Sequence, residues 1–363
     1  MMTEKREKIY SLDVLRVYAC FILMAFHAFI PVAGLTGLSI FLVMSGFLSA
    51  YNHYGDGKTA QLGLRESLSF SLNKIKKLYP LHLVMLIYPV FVELYKYFNG
   101  MQTLVRYFVK LAANILLVQA WIPIYDCYYS FNVPSWYLSA MIFIYFMLPL
   151  ILRCMEKYRS RRTAVVAIIA IYLAQVLSAR AALYLYTAAS PGFETPGFFH
   201  LWFYQVFPVY RLGDFAIGCN LAYIFMHRAE QKPSRAAGTV LELAAVGLLA
   251  LLSVRSLINV PQNVTVFYMP ASAALVYVFA LNSGYVSAFF TNKVIRHLAS
   301  LSSYVYLIHA PVIALSSAAA TWLPLSVGVQ KVFFMIFAFG GTYVLALAWR
   351  ELVIKRRRLP EPK

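Results

Sequence analysis

Long apolar segments recur along the whole chain, and they limit the folds open to it. A membrane-spanning helix needs about 20 apolar residues, and eleven segments approach or reach that length. The segments are 12–30, 35–53, 78–98, 104–122, 136–152, 163–187, 205–226, 237–257, 265–283, 303–322 and 330–353. Hydrophobic residues make up 61% of the 363 residues and charged residues 13%, whereas soluble domains carry about 25% charged residues. The sequence therefore predicts an all-α, polytopic membrane helix bundle and excludes a soluble enzyme.

Positively charged residues decide how many of these segments cross the membrane. Lys and Arg number 32 against 14 Asp and Glu, a net charge of +18. In a membrane protein such residues collect in cytoplasmic loops, so the excess does not indicate nucleic-acid binding. The basic stretches are the N-terminus, 54–77, 153–162, 227–236, 284–302 and the C-terminal tail. All of them fall on one side only if 104–122, the most polar segment, does not span. We predict ten transmembrane helices, both termini in the cytoplasm, and one external or partly immersed helix at 104–122.

The loops between the segments are short. The longest, 54–77 and 99–135, are too short to form a separate domain, so we predict a single membrane domain over 1–363. The four cysteines form no pair with the spacing of a metal site, and no metal is expected.

The first apolar segment contains three ionisable residues, which are costly inside a membrane and raise the hypothesis of a functional site. His27 follows Arg16 by eleven positions, so the two share one helix face about 16 Å apart along the axis. Asp13 precedes Arg16 by three residues and can pair with it. Two simpler interpretations remain open: Arg16 as an interfacial anchor, and His27 as a hydrogen-bonding partner between helices.

The same residues carry a family resemblance. An Arg followed after ten residues by a His, in LDVLRVYACFILMAFH, resembles the first-helix signature of the membrane acyltransferase-3 family. Five further segments resemble motifs of that family, in order, over nearly the whole chain. They are FLVMSGFL (41–48), NKIKKLYP (73–80), VPSWYLSAMIFIYFMLP (133–149), YRLGDFAIGC (210–219) and SYVYLIHAPV (303–312). One departure is clear: where the family usually has a Glu after Trp-x-Leu, this chain has Met141. That departure favours a divergent acceptor or a member that has lost catalysis.

The resemblance implies an integral membrane O-acyltransferase of the O-acetyltransferase type. Such an enzyme moves an acyl group, commonly acetyl, from cytoplasmic acyl-coenzyme A to a hydroxyl of a cell-surface or secreted glycan. Acyl-coenzyme A (acyl-CoA) is then a donor substrate rather than a bound cofactor, and the implied location is the prokaryotic inner cell membrane. The implied partners are the donor, a glycan acceptor, membrane lipids and proteins of polysaccharide synthesis or export, with no nucleic acid.

Acyl transfer to a hydroxyl needs a general base, and His27 suits that role or that of an acyl carrier. The donor head group is polyanionic and needs cations at the cytoplasmic side, which Lys74, Lys76 and Lys77 would supply together with Arg16. The alternative role of these lysines is to set the membrane topology. The predicted catalytic residues are His27, Arg16 and His309. The predicted substrate-binding residues are Lys74, Lys77, Arg211, Trp136 and Ser45.

Several of these candidates have a structural alternative. His309, expected about 9 Å into its helix and followed by Pro311, also suits a core hydrogen bond. Arg211 can form an ion pair with the Asp three residues on, and Ser45 can serve helix packing. The aromatic residues of the external stretch 191–205, which surround a Glu and a His, suit a sugar platform or an interfacial belt.

Two other functions compete with acyl transfer. One is a transporter or flippase for a small amino acid or a lipid-linked sugar, and the other is a catalytically silent scaffold in polysaccharide export. Dependence on acyl-CoA discriminates them, because only a transferase consumes it.

Overall fold

The computed structural model describes residues 6–30, 32–189, 201–228, 232–258, 265–324 and 326–358. Its main helices are α1 (Asp13–His27), α2 (Leu35–His53), α3 (Leu64–Ile75), α4 (Tyr79–Phe98), α5 (Leu104–Ile115), α6 (Trp136–Glu156), α7 (Arg161–Ala189), α8 (Pro208–Met226), α9 (Arg235–Ile258), α10 (Thr265–Leu281), α11 (Lys293–Trp322), α12 (Val327–Met335) and α13 (Thr342–Arg358). A π-helical turn at Ile336–Gly341 joins α12 to α13. These ranges contain no β-strand, so the prediction of an all-α fold is confirmed.

Eight helical stretches in the described ranges are long and apolar enough to cross a membrane, which confirms a polytopic bundle. They are Tyr10–His27, Leu35–His53, Tyr79–Phe98, Val133–Glu156, Arg161–Leu185, Arg235–Val254, Lys293–Trp322 and Val327–Val353. The two other predicted spans are also helices: α8 has 19 residues and α10 has 17. That these two cross the membrane as well stays a prediction.

The polar segment 104–122 forms only a short helix. Helix α5 has 12 residues, which gives a length of about 18 Å against about 30 Å for the hydrocarbon core. It packs against α4, and the buried side chain of Lys110 donates to Glu93 Oε2 at 2.5 Å. Lys110 also donates to Asp126 Oδ2 at 3.1 Å. An ion-pair network therefore holds this segment beside α4, as expected of a helix that does not span.

Replacing Lys110 with alanine is expected to destabilise the protein by about 3 kcal/mol, because it leaves a buried carboxylate without one of its cations. Arg106→Ala is the matched control, since Arg106 pairs with Asp126 through a side chain that is 54% exposed. Exposed ion pairs contribute at most about 1 kcal/mol. Equilibrium unfolding in mixed micelles measures both changes, and equal effects would contradict the structural role given to Lys110.

Two stretches that the sequence predicts as loops contain helices. The second of these differences changes how deep the candidate residue His309 lies within its helix. The stretch 54–77 includes α3, and 284–302 includes the start of α11. Hydropathy marks only the apolar part of a helix, whereas α11 begins with a polar turn that Asn292 caps by accepting from Ile295 N at 3.0 Å. His309 therefore lies about 24 Å from the start of its helix, and the expected depth of 9 Å was wrong.

All six predicted basic stretches have described residues that meet at one end of the bundle, which we name the basic end; for 227–236, the rings of His227 and Tyr54 are 5.9 Å apart. The contacts are Arg6 Nη2 to Tyr54 O at 2.8 Å, Arg153 Nε to Ala60 O at 3.0 Å, Arg350 Nη1 to Ser300 Oγ at 3.2 Å, and the Arg296 guanidinium 3.9 Å from the centre of the Tyr10 ring. The clustering is what the charge count predicts for a cytoplasmic face. The side of the membrane on which this end lies belongs to the proposal below.

Helices α2 and α8 approach each other backbone to backbone at two glycines. A Cβ atom built on Gly46 would lie 1.9 Å from the carbonyl oxygen of Phe215, and one on Gly218 would lie 1.9 Å from that of Val43. Only glycine permits such an approach, which places the neighbouring face of α2, with Ser45, along the interior of the bundle.

Candidate active site

A cavity of about 370 Å³ lies at the basic end and continues inward along α2; we name it the basic cavity. It is lined by Arg16, Phe41, Met44, Ser45, Leu48, Ser49, Asn52, His53, Lys74, Ile75, Leu78, Tyr137, Leu138, Met141, Tyr145, Ala299, Ser300, Ser302, Ser303 and Tyr306. Its α2 wall runs from His53 to Phe41, twelve steps along the helix, or about 18 Å of depth. The volume falls within the range of small-molecule sites, about 300–1,000 Å³.

Positive charge dominates this cavity. Arg16 and Lys74 line it, and none of the described lining residues is an Asp or a Glu. Arg16 Nη1 lies 3.6 Å from Asp13 Oδ1, an ion pair at the predicted spacing that is too long for a hydrogen bond. Met141 stands in the wall where the family usually has a Glu. The cavity is therefore suited to an anionic ligand, and the apolar Met141 avoids a negative charge there.

A polar relay holds Lys74 at the mouth of the basic cavity. Lys74 Nζ donates to His53 Nε2 at 3.1 Å, so Nε2 carries a lone pair and the ring proton lies on Nδ1. His53 Nδ1 then donates to Asp56 Oδ2 at 3.3 Å, and Thr59 Oγ1 donates to the same oxygen at 2.5 Å. Partial burial, together with the charge of nearby Lys77, lowers the pKa of Lys74. The relay fixes one cation beside the cavity.

Two histidines face each other further inside. The ring centres of His27 and His309 are 5.1 Å apart. His309 Nδ1 donates to Val305 O at 3.2 Å, so Nε2 carries the lone pair. That buried Nε2 has no hydrogen-bond partner among the described residues. The pair thus offers an imidazole nitrogen whose lone pair is not engaged by any described residue.

His27 also lines a second cavity of about 440 Å³, which we name the outer cavity. Its lining is His27, Phe29, Val133, Ala310, Ile313, Ala314, Ser317, Ala318 and Thr321. These residues lie towards the end of α1 and α11 opposite the basic end. The histidine pair therefore stands between two cavities that extend to opposite ends of the bundle.

The structure brings some predicted site residues together and separates others. Arg16, Lys74 and Ser45 share the basic cavity, where Ser45 Oγ lies 3.5 Å from Tyr137 OH. Lys77 is exposed, Trp136 is buried, and neither lines a cavity described above. Their predicted roles in substrate binding stay predictions.

Arg211 is buried among helices α7 and α8. Its Nη1 donates to Asp214 Oδ2 at 2.7 Å, and Gln175 Nε2 donates to Asp214 Oδ1 at 2.9 Å. Arg211 also donates to the carbonyl of Tyr204. The ion pair expected as its structural alternative is therefore present, and a role for Arg211 at the acceptor stays a prediction.

The predicted aromatic platform at 191–205 lies mostly outside the described residues, which resume at 201. Trp202 and Tyr204 are buried, and Trp202 Nε1 donates to Ala120 O at 2.9 Å. These two aromatic side chains belong to the packed interior of the bundle.

Sequence reasoning missed three residues of the site: His53 and Asp56 in the relay, and Tyr306 at the inner end of the basic cavity. The sequence does contain a pattern that could have indicated His53 and the neighbouring Asp56. Ser45, Ser49 and Asn52 recur at helical spacing along α2 and end at His53, which marks a polar stripe on an otherwise apolar helix.

The bundle and its site define a class of membrane protein in which a histidine pair lies between a positively charged cavity and an outer cavity. Residues 9–350 match the family described as Acyltransferase domain. The chain therefore belongs to the acyltransferase-3 family of membrane acyltransferases, and the predicted resemblance is confirmed.

A curated relative agrees with this assignment. The chain is 29% identical over 226 residues to Acyltransferase MdmB of Streptomyces mycarofaciens, a match that covers 60% of this chain and 54% of that protein. The chain thus spans about half the length of this relative. No solved structure matches the chain.

Proposed function

We propose that the protein is an O-acetyltransferase that moves acetyl from cytoplasmic acetyl-CoA to a hydroxyl of a cell-surface or secreted glycan. In this proposal the chain lies in the inner membrane, and its basic end and both termini face the cytoplasm. The observation that carries the proposal is the histidine pair between two cavities. Donor and acceptor can approach it from opposite ends of the bundle.

The basic cavity suits the donor. Phosphate groups of acetyl-CoA pair well with Arg16 and Lys74, and Lys77 adds charge beside the mouth. The acyl-bearing arm of the donor then extends inward along α2. Acetyl-CoA acts here as a substrate that is consumed, and the proposal needs no resident cofactor or metal.

The outer cavity suits the acceptor, and its position beside His27 supports the following chemistry. His27 takes the proton of the acceptor hydroxyl while that oxygen attacks the thioester carbonyl carbon. The carbon–sulfur bond then breaks, and the departing thiolate receives the proton from the imidazolium to give the free thiol. His309 Nε2 can accept a hydrogen bond from the His27 ring and hold it in place.

Arg16 is predicted both as a catalytic residue and as a cation for the donor head group, and the proposal keeps the second role. Helix α1 is continuous from Asp13 to His27, so about 16 Å separates Arg16 from His27 along the axis. Arg16 therefore binds the donor head group rather than the reacting atoms. The remaining partners in the proposal are membrane lipids and proteins of polysaccharide synthesis or export that deliver the acceptor.

The proposal is tested with the protein in nanodiscs and radiolabelled acetyl-CoA. We expect Arg16→Ala to weaken donor binding about tenfold or more, because a charge-assisted contact contributes about 1.5–3 kcal/mol. Arg159→Ala is the control, since Arg159 is exposed and lines neither cavity. Equal binding by both variants contradicts the donor site.

A transporter is distinguished in the same assay. If the unmodified protein neither binds nor consumes acetyl-, succinyl- or longer acyl-CoA, the transferase proposal fails. Uptake of a small amino acid or a lipid-linked sugar into proteoliposomes is then the measurement that follows.

A further inference from the structure

One face of α11 forms a wall of both cavities, and Tyr306 is its one large side chain in the basic cavity. In the basic cavity this wall begins with the small side chains of Ala299, Ser302 and Ser303. Beyond it, in the outer cavity, the wall continues with Ala310 and Ala314. Tyr306 stands between these two groups and is the large side chain at which the basic cavity ends.

Aromatic neighbours from two other helices hold Tyr306 in this position. Its ring centre lies 5.2 Å from that of Tyr137 on α6 and 5.9 Å from that of Phe41 on α2. Both neighbours also line the inner end of the basic cavity. Three helices therefore each contribute one aromatic ring to a single end wall.

The end wall stands directly before the histidine pair. The ring centres of Tyr306 and His309 are 5.9 Å apart, and the two residues are one helical turn apart on α11. A donor thioester that reaches His27 from the basic cavity must bring its acyl chain into the space beside the Tyr306 ring.

We infer that Tyr306, held by Phe41 and Tyr137, narrows the inner end of the basic cavity and restricts the donor to a short acyl chain. The inference rests on the proposed function and adds the specificity of its donor site. An acetyl group fits before the ring, whereas each further methylene meets aromatic carbon. The same ring narrows the passage between the basic cavity and the outer cavity, so that the thioester carbonyl can reach His27 while larger molecules cannot pass from one cavity to the other.

The first test compares acetyl-, butyryl- and hexanoyl-CoA as donors for the protein in nanodiscs, with a glycan extract of the cell surface as the acceptor and release of the thiol as readout. We expect the unmodified protein to favour acetyl and Tyr306→Ala to raise the rate with hexanoyl, relative to acetyl, by about tenfold or more. Tyr306→Phe keeps the ring and should keep the preference for acetyl. Tyr304→Ala, two residues away and outside both cavities, is the control for a general loss of packing.

The second test needs no donor. Ser303 faces the basic cavity, so Ser303→Cys, in a chain whose exposed Cys154 is replaced by serine, reports on access to that cavity. In intact cells, a membrane-impermeant maleimide added outside should label this cysteine when Tyr306 is alanine, and should not when Tyr306 is present.

The outcomes separate the inference from the proposed function. If acetyl- and hexanoyl-CoA are used equally, or if Tyr306→Ala changes neither the donor profile nor the labelling, the inference is overturned while acyl transfer stands. If no acyl-CoA is consumed at all, the proposed function is wrong, and selection of the donor by its chain length is then wrong as well. The labelling result then still decides whether Tyr306 narrows the passage between the two cavities.

Discussion

Replacing His27 with alanine is expected to lower consumption of acetyl-CoA by about 100- to 10,000-fold, the usual contribution of a general base. Donor binding should be retained, because the cations of the basic cavity lie near the other end of α1. The measurement pairs thiol release with equilibrium binding of radiolabelled acetyl-CoA, both in nanodiscs. Loss of turnover with intact binding is the signature of a residue that acts on the reacting atoms.

Two further variants make this prediction specific. His309→Ala should lower turnover less than His27→Ala, because His309 positions the ring of His27 and does not line the outer cavity. His297→Ala is the control on the same helix, since His297 is exposed near the basic end. Full turnover by His27→Ala, with an unchanged elution profile in detergent, would remove His27 from the mechanism.

Much of the fold could be predicted from the sequence, because the forces that select it act locally. The length of an apolar run and the side on which lysines and arginines collect are properties of single segments. The same holds for Arg16 and His27, whose shared face follows from helix periodicity alone. The pairing of Arg16 with Asp13 at 3.6 Å follows from the same periodicity.

The rest of the site depends on contacts between distant segments, and no single segment contains that information. His27 meets His309, and Tyr306 meets Tyr137, only once the helices that carry them have packed. Hydropathy also does not locate the start of α11, because the first turns of this helix are polar. The predicted depth of His309 within the helix is therefore too small. Hydropathy therefore locates the membrane-crossing part of a helix, whereas packing decides which side chains share a cavity.

Gly46 shows how a packing residue can determine the shape of the site. It lies next to Ser45, which lines the basic cavity, and its own position faces the backbone of α8. The sequence leaves Ser45 with two possible roles, substrate binding and helix packing, and in the structure Ser45 faces the cavity while its neighbour Gly46 permits the close approach of the helices. Any change in the distance between α2 and α8 therefore moves a wall of the donor site.

Gly46→Ala and Gly218→Ala are each expected to destabilise the protein by about 3 kcal/mol or more, the upper range for overpacking in a core. The added Cβ would lie 1.9 Å from a backbone carbonyl oxygen in either case, and no flexible side chain can move aside to relieve the contact. The two helices must separate instead, which widens the basic cavity and weakens donor binding as well. Thermal stability in detergent and acetyl-CoA binding measure the two effects.

Gly247→Ala is the matched control for this prediction, because Gly247 lies within α9 and no atom comes within 4 Å of an added Cβ. There alanine should be neutral or stabilise by about 0.5–1 kcal/mol through its higher helix propensity. The double variant Gly46→Ala/Gly218→Ala supplies a second criterion. Both glycines serve one helix contact, so a single separation of α2 from α8 relieves both clashes, and the combined loss of stability should be smaller than the sum of the single losses. Strict additivity would show instead that the two glycines act independently and that α2 and α8 do not move apart as rigid helices.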